Sequence, residues 1–179
     1  MVMLTRSLLI LSVAALPALA QANAPAPDFT SPVTVARVQW KQTVDYLVQA
    51  ANDVPEATYS FRPTPEVRTF GELIGHVAGS QYVFCAAALG EKQPEEDAVE
   101  KTAKTKAALI DALRKSNDYC DRAYKQTDKA SSGAADLFGN KRTRLFALME
   151  NAMHDNEHYG NIVTYMRMNK MVPPSSKPR

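Results

Sequence analysis

Four segments of this chain repeat apolar residues at helical spacing, and the stretches between them do not. Trp40, Val44, Leu47 and Ala51 recur at i, i+4, i+7 and i+11, the period of an amphipathic helix. Ser31-Pro32 supplies its start, an N-cap followed by Pro at the first helical position, and Asn52 with Pro55 closes it. Glu56 to Arg68 holds Pro63 and Pro65 and reads as an ordered, extended connection. Thr69-Phe70-Gly71-Glu72 is a capping box that opens a second helix, whose apolar face carries Leu73, Val77, Phe84 and Ala88 and which Gly90 ends. Glu91 to Asp97 is an acidic, Pro-containing linker. A third helix is predicted from Val99 to Tyr124, with Leu109, Leu113, Cys120 and Tyr124 inward and its lysines solvated. Thr127 to Lys141 contains Ser131-Ser132-Gly133 and Gly139-Asn140 and reads as loop. A fourth helix runs from Thr143 to Asn169 and is stopped by Pro173-Pro174, leaving 175–179 as a disordered tail. With no strand alternation and no internal repeat, the pattern predicts an all-α four-helix bundle over 31–174. It does not fix the order or handedness of the helices.

The first thirty residues lie outside that pattern. Arg6 precedes the apolar run Ser7 to Leu16, which is too short to span a bilayer; Pro17 and Ala18-Leu19-Ala20 follow, a small-x-small cleavage site. The expected organisation is a cleavable signal peptide over 1–20 and a flexible tether over 21–30, with an uncleaved anchor as the alternative. No cysteine lies near the cut, which argues against a lipoprotein. About 159 residues remain, the size of one domain. The balance of 21 Lys+Arg against 19 Asp+Glu, with no basic block interleaved with aromatics, argues against nucleic acid as a partner. No further apolar run reaches membrane-spanning length, so the expectation is an exported protein, periplasmic or secreted, without membrane anchoring.

The candidate chemistry lies in the histidines, of which the chain has three. His154 and His158 stand four apart in the fourth helix, so both imidazoles leave one face about a turn apart and can chelate a metal without distorting the helix. His76 lies in the second helix, where Gly75, Gly79 and Ser80 leave a bare patch that allows either close helix packing or room for a ligand. Together the three form a candidate site for a divalent transition metal, Zn, Ni or Fe, with a position left for water or substrate. The spacing is not the His-Glu-x-x-His of zinc proteases: Asp155 follows His154, and Glu157 precedes His158. Glu72 and Tyr165 are candidates for polar support nearby. One tension stands: Leu145, Met149, Ala152, Tyr159 and Val163 form an apolar stripe that points roughly 140° from the histidine pair. Either the site occupies a polar notch between helices, or the stripe serves in part as a homodimer contact.

The segments Phe70-Gly71-Glu72-Leu73-Ile74-Gly75-His76-Val77 and His154-Asp155-Asn156-Glu157-His158-Tyr159-Gly160-Asn161 resemble the DinB superfamily of metal-dependent enzymes, and the resemblance covers Ser31 to Pro174. Asn161 stands where Gln is expected in many relatives. The resemblance implies His76, His154 and His158 as metal ligands, a four-helix bundle and often a dimer. Of the activities open to such a site, hydrolysis of a small molecule through a metal-bound water is the expected one. Thiol-dependent transfer, known in the family, is the alternative within it, and a non-catalytic metal-binding or stress-related bundle the alternative outside it.

Cys85 and Cys120 are the only cysteines. In an up-down bundle they would stand on the order of 20 Å apart, beyond bridging; were helices two and three parallel, the axial offset would fall to roughly 6 Å. The family resemblance implies an up-down-down-up order with parallel helices two and three, and hence a Cys85–Cys120 disulfide.

Overall fold

The computed structural model describes residues 26–178, so the expected signal peptide lies outside the described residues, as does the first half of the tether, 21–25. Four long helices dominate: α1 (Pro32–Asp53), α2 (Phe70–Leu89), α4 (Lys106–Ala123) and α6 (Arg144–Met168). Two short helices, α3 (Ala98–Thr102) and α5 (Asp128–Ser131), lie between them. The expected caps are in place. Ser31 accepts from the Thr34 amide, with Pro32 at the first helical position; Thr69 and Glu72 form the reciprocal capping box; Gly90 takes the left-handed conformation at φ 74°.

The expectation of an all-α chain is corrected by a two-stranded antiparallel hairpin, β1 (Ala134–Leu137) and β2 (Asn140–Thr143), within the segment read as loop. Phe138 and Gly139, both at positive φ, make its two-residue turn. Ala135 and Leu137 face the core, whereas β2 is exposed throughout, so no alternating pattern announces it. The expected third helix is two pieces. Thr105 accepts from the Ala108 amide and caps α4, which separates it from α3. Nor are residues 175–178 a loose tail: the Ser175 amide donates to Tyr159 Oη at 2.9 Å, and Lys177 pairs with Asp53 at 2.7 Å.

α2 is buried on nearly every side, packed by α4, α6 and α3, while α1 closes against α6 and α4. Trp40 stacks on Tyr124 in the core (centroids 4.4 Å apart) and donates its indole N–H to Gln81 Oε1 at 2.9 Å. Gln81, fully buried, donates in turn to Ser116 Oγ and Asn117 Oδ1. Cys85 and Cys120 are bridged, with Cα atoms 5.3 Å apart. No helix among the described residues is long and apolar enough to cross a membrane.

Candidate metal centre

α2 presents His76, and α6 presents His154 and His158 one turn apart. Packing of α2 on α6 brings the three rings together. His154 Nε2 lies 3.2 Å from His76 Nε2 and 3.1 Å from His158 Nε2. One ligand nitrogen from each ring falls within 4.8 Å of the others. Each close pair of nitrogens can share at most one proton, so three facing imidazoles are an unfavourable arrangement on their own. Three nitrogens bound at about 2.0–2.1 Å to one tetrahedral centre would stand about 3.3 Å apart, close to the spacing seen, so the donor set fits a divalent ion. Among the described residues no fourth His, Cys, Asp or Glu joins the group.

Burial, helped by the Arg68 guanidinium and the other two histidines, pushes the His76 pKa down to about 3. Burial and His154 push His158 down to about 4, with Glu157 opposing. Both rings are therefore neutral at pH 7, the protonation state a metal ligand requires.

The bare patch beside His76 is filled by backbone. A Cβ on Gly75 would stand 2.9 Å from Glu100 Cα, and one on Gly79 would stand 1.9 Å from the Glu96 carbonyl oxygen. The small residues serve close packing of the 96–100 backbone, which Ser80 Oγ reinforces by donating to Glu96 Oε1 at 2.7 Å. This brings Glu100 to the cluster: its Oε2 is 3.9 Å from His76 Nδ1, and Arg68 Nε holds its carboxylate at 3.1 and 3.3 Å. Neither Arg68 nor Glu100 carried a sequence signal, since both lie in segments read as connection or helix surface.

Asp155 is fully buried, and neither carboxylate oxygen has a hydrogen-bond partner among the described residues. Burial raises its pKa to about 6 against the pull of His154. Of the two residues expected to give polar support, Glu72 is committed to the helix cap and to Arg62. Tyr165 donates to the Arg68 carbonyl at 2.8 Å and lines a cavity of about 600 Å³ that reaches His158. Arg68, Leu73, Glu100 and Asn161 share that cavity. The buried arc of α6 runs through Leu148, Asn151, Ala152, Asp155, His158, Tyr159 and Ile162, while Met149 is 48 % exposed. The stripe and the histidines are thus two flanks of one broad face, Tyr159 stacking on Tyr46 of α1 and the histidines meeting α2.

The fold has known counterparts. A DinB-like protein from Bacillus cereus ATCC 10987 superposes with a TM-score of 0.67 at 21% identity, over 78% of this chain and 93% of that one. A mycothiol-dependent maleylpyruvate isomerase gives 0.59 at 22% identity, over 74% and 60% of the two chains. A DinB-like protein from Bacillus subtilis gives 0.54 at 17%, over 81% and 99%. No curated protein matches the chain in sequence. The family model of the DinB superfamily matches residues 39–162, from within α1 through the histidine pair of α6, and this chain belongs to that superfamily.

Proposed function

We propose that His76, His154 and His158 bind one divalent transition metal, Zn, Ni or Fe, through Nε2, and that the protein is an exported metal-dependent hydrolase of small molecules. The convergence of three imidazole nitrogens, with no fourth His, Cys, Asp or Glu joining them among the described residues, carries this reading. A bound divalent ion supplies Lewis acidity, bringing the pKa of a coordinated water or thiol toward neutrality. The chain's own residues do the rest. Burial keeps His76 and His158 unprotonated, the cavity beside His158 admits a substrate, and Arg68, Asn161 and Tyr165 offer it a cation and polar groups for orientation. A metal-buffering bundle would need no such cavity.

Thiol-dependent transfer or isomerisation is the second reading. The observation that favours it is the shared fold with an isomerase whose name makes it mycothiol-dependent. The helices are read as up-down-down-up. Along α2 and α4 the pairs Gly71 with Leu109, Gln81 with Ser116 and Cys85 with Cys120 advance in the same direction, which supports parallel neighbours. The disulfide supports export, since such bonds persist in oxidising compartments. A homodimer would cover the groove where Phe29, Val35, Met149 and Met153 expose apolar surface between the N-terminal segment, α1 and α6, and sedimentation equilibrium reads it.

Elemental analysis of the purified protein beside His76→Ala and His158→Ala tests the site: about one equivalent of metal in the parent and little in either variant. Equal content in all three would remove the site. Turnover of simple esters or amides without added thiol supports hydrolysis; turnover only with a low-molecular-weight thiol selects the second reading.

A further inference from the structure

The three rings turn Nε2 toward one another, so each must carry its proton on Nδ1 if the inner nitrogen is to offer a lone pair. What faces each Nδ1 therefore decides whether the cluster is arranged to bind. His158 Nδ1 has Asn161 Nδ2 at 3.4 Å, a donor as placed, so an Nδ1–H on that ring requires the Asn161 amide turned to present its oxygen. The Nδ1 atoms of His76 and His154 are buried and have no hydrogen-bond partner among the described residues. Each instead has one carboxylate oxygen at the same distance: Glu100 Oε2 is 3.9 Å from His76 Nδ1, and Asp155 Oδ1 is 3.9 Å from His154 Nδ1. That is about 1 Å beyond a hydrogen bond, so a pairing there requires each carboxylate to move closer to its ring.

Neither carboxylate is there by accident of surface composition. Glu100 reaches the cluster because Gly75 lets the α3 backbone touch α2, and Arg68 Nε holds both of its carboxylate oxygens. Asp155 is fully buried with both oxygens lacking a partner, an arrangement that costs several kcal/mol unless a donor or cation compensates it. Three imidazoles bring no negative charge to a divalent ion. Arg68 already offsets Glu100, while no Lys or Arg among the described residues pairs with Asp155, so its charge is available to the cluster.

We infer that Glu100 and Asp155 are positioning residues for the cluster, accepting the Nδ1–H of His76 and His154 so that both Nε2 lone pairs point inward. The inference rests on the metal reading of the cluster for its purpose, and on the facing groups alone for the tautomers.

Its test combines two measurements on the full chain. Imidazole ¹⁵N spectra of metal-free protein report the tautomer of each ring, and Zn²⁺ titration against a competing chelator reports affinity. Glu100→Ala and Asp155→Ala remove the acceptors; Glu100→Gln and Asp155→Asn keep an amide oxygen in place and remove only the charge. The expected result is an Nδ1–H tautomer at His76 and His154 in the parent. Each Ala variant loses it at its own histidine and binds Zn²⁺ about 10–100-fold more weakly. The amide variants restore the tautomer and part of the affinity. Ala variants that fold and keep the parental tautomers would overturn the inference, and so would weaker binding with unchanged tautomers, the signature of a merely structural role. If Asp155→Ala does not fold, the Glu100 pair and Asp155→Asn still decide. A parent that binds no Zn²⁺ would sink the metal reading, while the spectra would still judge the two carboxylates.

Discussion

Two glycine-to-alanine substitutions within long helices should move stability in opposite directions. In α6, a Cβ on Gly160 would meet nothing within 4 Å, so Gly160→Ala should add helix propensity and limit the unfolded chain at no steric cost, a gain of about 0.5–1 kcal/mol. In α2, the same change at Gly79 places the methyl 1.9 Å from the Glu96 carbonyl oxygen. Cβ contacts shorter than 3.0 Å essentially do not occur, so the Glu96 backbone must retreat by about 1.1 Å or more. That movement strains or breaks the Ser80–Glu96 hydrogen bond and loosens Glu100. Overpacking costs about 1–3 kcal/mol and a hydrogen bond to a charged acceptor about 1.5–3, against roughly 1 returned by propensity. The net expectation is a loss of about 1.5–5 kcal/mol. Urea unfolding at pH 7 measures both variants: the midpoint should rise for Gly160→Ala and fall for Gly79→Ala, with the slope unchanged in each. A Gly79→Ala protein as stable as the parent would refute the claim that backbone packing, and not vacant space, explains the small residues beside His76.

Three other outcomes are expected. Reducing the Cys85–Cys120 bridge, which closes a loop across a separation of 35 residues, should lower stability by up to about 4 kcal/mol on the chain-entropy model, read by urea unfolding with and without reductant. Gln81→Leu should cost about 1–3 kcal/mol because it orphans the buried Trp40 N–H, while the Ser116 hydroxyl keeps its bond to the Leu113 carbonyl; an unchanged midpoint would show that the network contributes nothing. In chelator-treated protein, His76 and His158 titrate below their unfolded value near 6.5, so the unfolded chain binds the extra protons. Their contribution is complete above about pH 6.5 and is lost as pH falls toward 4. Asp155 works in the other sense: its folded pKa is raised, so its contribution is complete below about 3.8 and is lost as pH rises through about 6. With two groups against one, stability should rise between pH 4 and 6 by at most about 1.4 kcal/mol per unit, less where solvent screens the rings. Asp155→Asn should make that rise steeper, and urea midpoints across the range check it.

Much of the helical frame was legible because its signals are local. Ser31, Thr69, Glu72 and Gly90 act within one turn of their own position, and the structure uses each of them as the pattern predicts. The three histidines were legible for a different reason: they are all the chain has, and a scarce residue type at chelating spacing is informative without any fold. What depended on neighbours was lost. The gap between α3 and α4 turns on a Thr105 cap that a continuous helical period conceals, and β2 has no buried face to alternate. On α6 the period located an apolar stripe but not how wide an arc α1 and α2 would cover between them, so nothing in the pattern marked Asp155 as fully buried.

Two kinds of buried polar residue look alike in a sequence and differ in what they imply. Gln81 and Asp155 are both fully buried on helices facing the core. Gln81 takes the Trp40 N–H and gives its own hydrogens to Ser116 and Asn117, so its polar atoms are accounted for within the protein and its removal should register as lost stability. Asp155 has neither oxygen accounted for among the described residues, and it stands next in sequence to a histidine whose Nδ1 is equally unaccounted for. A satisfied buried network is explained by folding alone, whereas a buried carboxylate held without a partner weakens the fold and persists only where something else requires it. In this chain the unsatisfied atoms of Asp155, His154 and His76 gather around one cluster. The fold therefore tolerates its main polar imbalance where the chemistry is proposed, and the Gln81→Leu and Asp155→Asn variants should differ accordingly: the first loses stability, the second loses Zn²⁺ affinity while keeping or gaining stability in the metal-free protein at pH 7.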